Sequence, residues 1–436
     1  MIANYPLWHE YQGKARKHRP KLKGREKADI AIIGGGLTGM SNAYFLSKAG
    51  YKVVVLEAHE IGAGATGASS GIFSIGGGGY FWQAERDYGR QRAKALWDLS
   101  LYSIKLAEEI VAKEKIKCDW AKQGSLDLAA KPSHTKMLEK EHEARRQVGY
   151  SCDFLDARQV KDEIGSSAFH AAIQSPYDRS ADPLKFLHGL ADAAIKSKAV
   201  IHEHSQVKSI YPTSHKVFLR TDLGELDADH VIVGTDSQTY ALGMEHDVLP
   251  MTSYTAATEP LTEGKMQAIF KEKRQMLWDS YDFYDYFRPT EDNRIVVGNG
   301  NIFVGHGHEK PKDFEGQGKA VLQNIKDSSR KIFPELMNVE FTHFWKGTVG
   351  FTKNDLPIIG HDQRHKNLLY SMAYSGHGLA MAFLSGKLML DYMKHGDSRI
   401  FNAFRKPGTQ GSIIPRAIMQ KAVDAYFDYR KFTERL

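Results

Sequence analysis

Residues 28–58, ADIAIIGGGLTGMSNAYFLSKAGYKVVVLEA, read as strand, glycine turn, helix and strand. The runs from Ile30 to Ile33 and from Lys52 to Leu56 are close to continuously apolar, as expected of parallel strands covered on both faces. Between them Leu37, Met40, Ala43, Tyr44 and Leu46 to Ser47 recur at helical spacing, and Gly50 stops the helix. The turn Gly34-Gly35-Gly36-Leu37-Thr38-Gly39 is a G-x-G-x-x-G motif. Its glycines permit a tight turn, close approach of backbone to a pyrophosphate and close helix–strand packing, while the helix N-terminus supplies N–H donors. Glu57, followed by Ala58, ends the second strand 18 residues after Gly39. A carboxylate there accepts hydrogen bonds from ribose hydroxyls, so the unit reads as a dinucleotide site rather than a packing turn.

NAD and FAD both use such a unit, and the next stretch separates them. From Ile61 the chain runs IGAGATGASSG, with Gly62, Gly64, Gly67 and Gly71 interleaved with Ala65, Thr66, Ser69 and Ser70. An extended small-residue segment of this kind suits the ribityl chain and ring edge of a flavin. A second dinucleotide turn is absent, since GNGNIFVGHG at 298–307 has the wrong spacing.

The chain has 436 residues, 42% hydrophobic and 25% charged, which suits a globular protein of two or three structural units. No apolar run is long enough for a membrane-spanning helix and the first residues lack a signal peptide's apolar core, so the expected compartment is the cytoplasm. The net charge of +7 is concentrated in Lys14 to Lys27, with eight Lys or Arg and one Glu, and the other 422 residues carry 51 bases and 51 acids. This arm, residues 1–27, reads as a solvated leader; peripheral contact with anionic lipid is the alternative, and nucleic acid is not an expected partner. Cys118 and Cys152 lack metal-ligand or disulfide spacing, and no metal is expected. The pairs His202/His204 and His306/His308 read as solvated loop or strand residues.

Further along, Asp182-Pro183 opens a helix, and the aromatic-rich residues from Tyr240 to Phe344 suit an antiparallel sheet with one covered face. A last helix spans about Gly378 to Lys394. Its start, Tyr374-Ser-Gly-His-Gly-Leu379, places Gly376, His377, Gly378 and Leu379 where a helix dipole stabilises negative charge on a reduced flavin.

The sequence resembles the D-amino-acid oxidase family of FAD enzymes, in the branch that holds glycine oxidase, sarcosine oxidase and gamma-glutamylputrescine oxidase. The resemblance covers nearly the whole chain and rests on ADIAIIGGGLTG, IGAGATGASSG, RSADPLKFLHGLADAA, SYTAATEPL, YFRPTEDNRIVVG, WKGTVGFTKNDLPIIG and YSGHGL. It implies an α/β fold, with a glutathione-reductase-like (Rossmann-type) FAD-binding domain built from 28–85, 150–240 and 345–400. An α+β substrate domain on an antiparallel sheet takes 86–149 and 241–344, and a helical extension takes 401–436. It implies that Val207 meets the adenine through its backbone and that Thr235 lies beside the cofactor.

The implied activity is oxidation of a primary or secondary amine to an imine by hydride transfer to flavin N5, with oxygen or an electron carrier as acceptor. A dehydrogenase passing electrons to a quinone or carrier protein is one alternative, and an RNA-associated flavoprotein another. Three departures from the family pattern matter. Ala68 and Ser69 stand where the family often has Arg and Asn. Val349 stands where amino-acid-oxidising members have the Arg that grips the substrate carboxylate. No cysteine falls at the tethering position near Gly347, so FAD is expected to be non-covalent. Tyr286 matches a substrate-contacting position in glycine oxidase and shares a strand face with Arg288. Lys346 falls at a position close to the flavin, and together with His377 these are the catalytic candidates.

Overall fold

The structure, a computed structural model, describes residues 2–12, 19–242, 248–282, 284–304, 314–404 and 425. Strand Gly24–Ile33 lies inside the first sheet, parallel to Val53–Leu56 on one side and to Gly224–Val233 on the other. Val200–His202 and Leu368–Met372 extend the parallel array outward, and Ile358–His361 pairs antiparallel at one edge. Because the chain leaves Gly24–Ile33 towards one side and returns on the other, a crevice opens at the carboxyl ends of these strands. Helix Leu37–Lys48 fills one face and is buried along most of its length. Helices Arg90–Glu114, Pro183–Lys196 and Gly378–His395 join it in one core through Trp97, Leu187 and Phe383. The Asp-Pro signal behaves as read, with the Asp182 carboxylate accepting from the N–H groups of Leu184 and Lys185, each at 2.9 Å.

The second sheet runs in the order Phe341–Phe351, Leu249–Thr258, Ile295–Val304, Tyr286–Pro289, Met276–Asp279, Ser125–Leu128, Ala171–Ser175, Asp153–Asp156. Its pairings are antiparallel except that of Met276–Asp279 with Ser125–Leu128. One face packs on helices Ala157–Ile164, Glu263–Ile269 and Phe314–Ile332 through Val160, Met266 and Ile325.

Several expectations change here. The strands at 153–156 and 171–175, assigned from sequence to the dinucleotide unit, pair into the second sheet, and Phe341–Phe351 belongs to it throughout. Helix Arg90–Glu114, assigned to the substrate unit, buries Ala93, Leu96 and Trp97 in the core of the first. Alternating apolar residues reveal that a strand or helix has a covered face, but not which neighbour covers it.

The described end of the basic arm belongs to the first sheet rather than leading up to it, while Lys21, Lys23, Arg25 and Lys27 keep exposed side chains. Gly24 to Lys27 open the strand beside Gly224–Val233, Leu22 is buried, and Arg25 donates to Asp227 at 2.9 Å. The Arg19 guanidinium lies 3.6 Å from Glu203. Residues 13–18 of the arm lie outside the described residues, as do His306 and His308 and all but Ala425 of 405–436. His202 is buried rather than solvated, with Nδ1 at 3.0 Å from the Pro20 carbonyl and Nε2 at 3.1 Å from Glu26. Among the described residues no helix is long and apolar enough to cross a membrane.

Candidate active site

A cleft of about 1130 Å³ runs from the carboxyl ends of the parallel strands to the second sheet. It exceeds the range of about 300–1,000 Å³ usual for small-ligand sites. At one end Gly34 turns with φ +108°, and a Cβ there would stand 2.7 Å from the Gly234 carbonyl oxygen. Only glycine combines that angle with that approach. Helix Leu37–Lys48 then begins at Gly36, which has no side chain to cap it, and the Leu37 N–H donates to Thr66 Oγ1 at 3.0 Å; the positive end of the helix dipole points at the cleft. The Glu57 carboxylate accepts from Gly35 N–H at 2.6 Å and from His59 N–H at 2.8 Å. Burial raises its pKa, and the two donors oppose that shift.

Helix Gly378–His395 also starts at the cleft, with His377 in the cap position and no side-chain cap. Burial lowers the pKa of His377, which keeps the ring neutral near pH 7. The Tyr374 hydroxyl lies 2.7 Å from that of Thr38 and 2.9 Å from that of Ser371, joining the loop before this helix to the start of the first.

The cleft brings together Gly34, Gly36, Leu37, Thr38, Glu57, Ala58, Gly64, Ala65, Thr66 and Ser70 from the two glycine segments. From remote parts of the chain it adds Val207, Thr235, Gly347, Gly376, His377, Gly378 and Leu379, with Tyr286 on the opposite wall. Tyr286 and Thr255 place their hydroxyls 3.1 Å apart. Val349 also faces the cleft.

Four expected residues do not line it. A Cβ on Gly39 would stand 1.9 Å from the Gly34 carbonyl oxygen, so Gly39 serves helix–strand packing. Gly71 has φ +79° and faces the Ala181 carbonyl and the Arg288 guanidinium. Arg288 is buried behind the glycine segment, donating to the Ser70 carbonyl at 2.6 Å. Burial pushes its pKa down to about 10. Lys346 is exposed, because alternation along its strand sends Trp345 and Gly347 towards Ala68 and Lys346 the other way.

The far wall holds residues that sequence reasoning missed. Trp278 donates its indole N–H to Asp127, and Arg145 lies 3.0 Å from Asp127 and 2.6 Å from Glu141. Burial pushes Asp127 up to about 6, against the pull of Arg145. Tyr80, Tyr281 and Tyr284 complete this wall. The available signal was an Asp within the apolar strand SLDL, but its partners come from segments up to 151 residues away.

Two helix starts at the cleft, a glycine turn that a Cβ would obstruct and a carboxylate at the strand end form the donor and acceptor set that an adenine dinucleotide requires. Gly34 to Thr38 would hold the pyrophosphate, Glu57 the ribose, and the Gly378 helix start the flavin ring. Residues 29–392 match the family described as DAO, FAD dependent oxidoreductase. The chain belongs to this family and is an FAD-dependent oxidoreductase.

It is 29% identical over 403 residues to gamma-glutamylputrescine oxidoreductase of Escherichia coli K12, covering 90% of each protein. A probable oxidoreductase of Haemophilus influenzae, OrdL, is 28% identical over 420 residues, covering 94% of this chain and 93% of the relative. Among solved structures, glycine oxidase from Geobacillus kaustophilus superposes with a TM-score of 0.74 at 19% identity, over 88% of this chain and 99% of that one.

Proposed function

We propose that this protein oxidises the carbon–nitrogen bond of a primary or secondary amine that carries no carboxylate on the reacting carbon. The observation that carries the reading is the state of the cleft's cations. Two guanidinium groups line it among the described residues, and both are paired: Arg86 with Asp87 at 2.6 Å, and Arg145 with Glu141 and Asp127. Val349 presents an aliphatic side chain to the same space. A buried α-carboxylate would therefore lose its hydration without gaining a cation, at a cost of several kcal/mol.

Bound FAD supplies the electron-pair acceptor for the amine carbon. The chain's own groups orient and desolvate the substrate. The Tyr286 hydroxyl, at 3.1 Å from Thr255, offers a hydrogen-bonding anchor on one wall, and Trp278 and Tyr80 offer apolar faces. Exclusion of water favours the neutral amine, so no dedicated protein base is required. The product imine hydrolyses in water to a carbonyl compound and an amine. Oxygen or a carrier would accept the electrons, and the rate at which the reduced protein regains colour in air distinguishes the two.

Val349→Arg tests the reading. It is expected to lower activity on simple amines and to introduce activity on sarcosine or glycine. An unmodified protein that already prefers those amino acids would refute it.

A further inference from the structure

Three consecutive carbonyls of the second glycine segment are each held by a side-chain donor from a different part of the chain. Trp345 Nε1 donates to Ala68 O at 2.9 Å, Trp8 Nε1 to Ser69 O at 2.8 Å and Arg288 Nη1 to Ser70 O at 2.6 Å. All three side chains are buried, at 1–3% exposure, and none lines the cleft, whereas Ala68, Ser69 and Ser70 do. The donors form one block. The Arg288 guanidinium sits 4.7 Å from the Trp8 ring centroid, and Ala3 forms a backbone bridge with His343, two residues before Trp345. Residues 2–12 thus form part of the wall behind the cofactor segment.

A trans peptide points its C=O and the following N–H in opposite directions. With Ser69 O drawn back towards Trp8, the Ser70 N–H is directed forward, into the cleft. The neighbouring amides are occupied locally: Ser69 N–H on Thr66 O at 3.2 Å, and Gly71 N–H on Ser69 Oγ at 3.3 Å.

We infer that Trp8, Arg288 and Trp345 are positioning residues that clamp the 68–70 carbonyls from behind and so present the Ser70 N–H to the flavin ring. The N-terminal segment is then a working part of the cofactor site, acting through backbone it does not share. This inference rests on the FAD site and not on the choice of amine.

The test uses the holoprotein and three Trp→Phe variants. Trp8→Phe and Trp345→Phe keep an aromatic ring and remove a donor. Trp120→Phe is the control, because Trp120 packs on Phe73 and Phe186 while its N–H makes no hydrogen bond. The first two variants are expected to speed amide exchange across residues 68–71 and to weaken FAD binding about five-fold, the loss of one hydrogen bond. They are also expected to make the flavin potential more negative, because an N–H donor facing the ring favours its reduced, more electron-rich form. The control should change none of these. Unchanged exchange and potential in both donor variants, or equal changes in Trp120→Phe, would overturn the inference.

Discussion

The hydroxyls of Thr38 and Tyr374, 336 positions apart in the chain, lie 2.7 Å apart. Thr38 belongs to the first turn of the helix that follows the glycine motif, and Tyr374 to the loop that leads into the helix starting at Gly378. One hydrogen bond therefore links the helix start that would hold the cofactor's pyrophosphate to the one that would face its flavin ring. Tyr374→Phe removes it, together with the 2.9 Å contact to the Ser371 hydroxyl, while keeping the ring. Equilibrium titration of the apoprotein is expected to show FAD binding weakened about five-fold, in line with about 1 kcal/mol for such a bond.

Lys346 and Tyr286 separate position on the strand from position in the cleft. Lys346→Ala removes an exposed side chain outside the cleft, and kcat/KM is expected to stay within about two-fold of the parent, as for most surface changes. Tyr286→Phe removes a hydroxyl that faces the cleft, and KM for the amine should rise more than kcat falls. The opposite ranking would return Lys346 to the catalytic set.

Attachment of the cofactor is tested by acid precipitation. Both cysteines are buried and neither lines the cleft, and burial pushes the Cys118 thiol up to about 12. The yellow colour is expected in the supernatant. Flavin that stays with the pellet would show a covalent bond that these thiols do not explain.

Asp182 gives a pH prediction with a definite sign. Burial pushes its carboxyl up to about 6, above the ordinary value of 3.8. The folded state therefore holds this proton more tightly, and the stability it contributes is complete below pH 4 and is lost as pH rises through 6. Asp182→Asn keeps an acceptor for the Leu184 and Lys185 amides and removes the titration. Its melting temperature relative to the parent should rise between pH 4 and 6, by the equivalent of about 2 kcal/mol. A difference that is flat with pH would contradict the assignment.

The dinucleotide unit was legible because every signal in it is local. The glycines, the helix spacing and Glu57 fall within 24 residues, from Gly34 to Glu57, and each has one physical use. Arg288 was misread for the complementary reason. Alternation placed it on the face of Tyr286, but the glycine segment passes between it and the cleft, and only the fold shows that its guanidinium is spent on the Ser70 carbonyl. Trp8 gave no signal, since an aromatic in a short N-terminal segment looks like any other. The Asp127, Arg145 and Trp278 group was hidden because its members converge from a strand, a helix and a second strand.

The central claim, an FAD-dependent amine oxidation that excludes α-carboxylates, is tested most directly by anaerobic stopped-flow reduction. The bleaching of flavin absorbance is followed for glycine, sarcosine and D-alanine beside N-alkyl amines and γ-glutamylated diamines, whose carboxylate lies far from the reacting carbon. At least one of the latter amines should reduce the flavin faster than every α-amino acid. Faster reduction by sarcosine or D-alanine than by every amine without an α-carboxylate would contradict the account and place a carboxylate site elsewhere in the cleft.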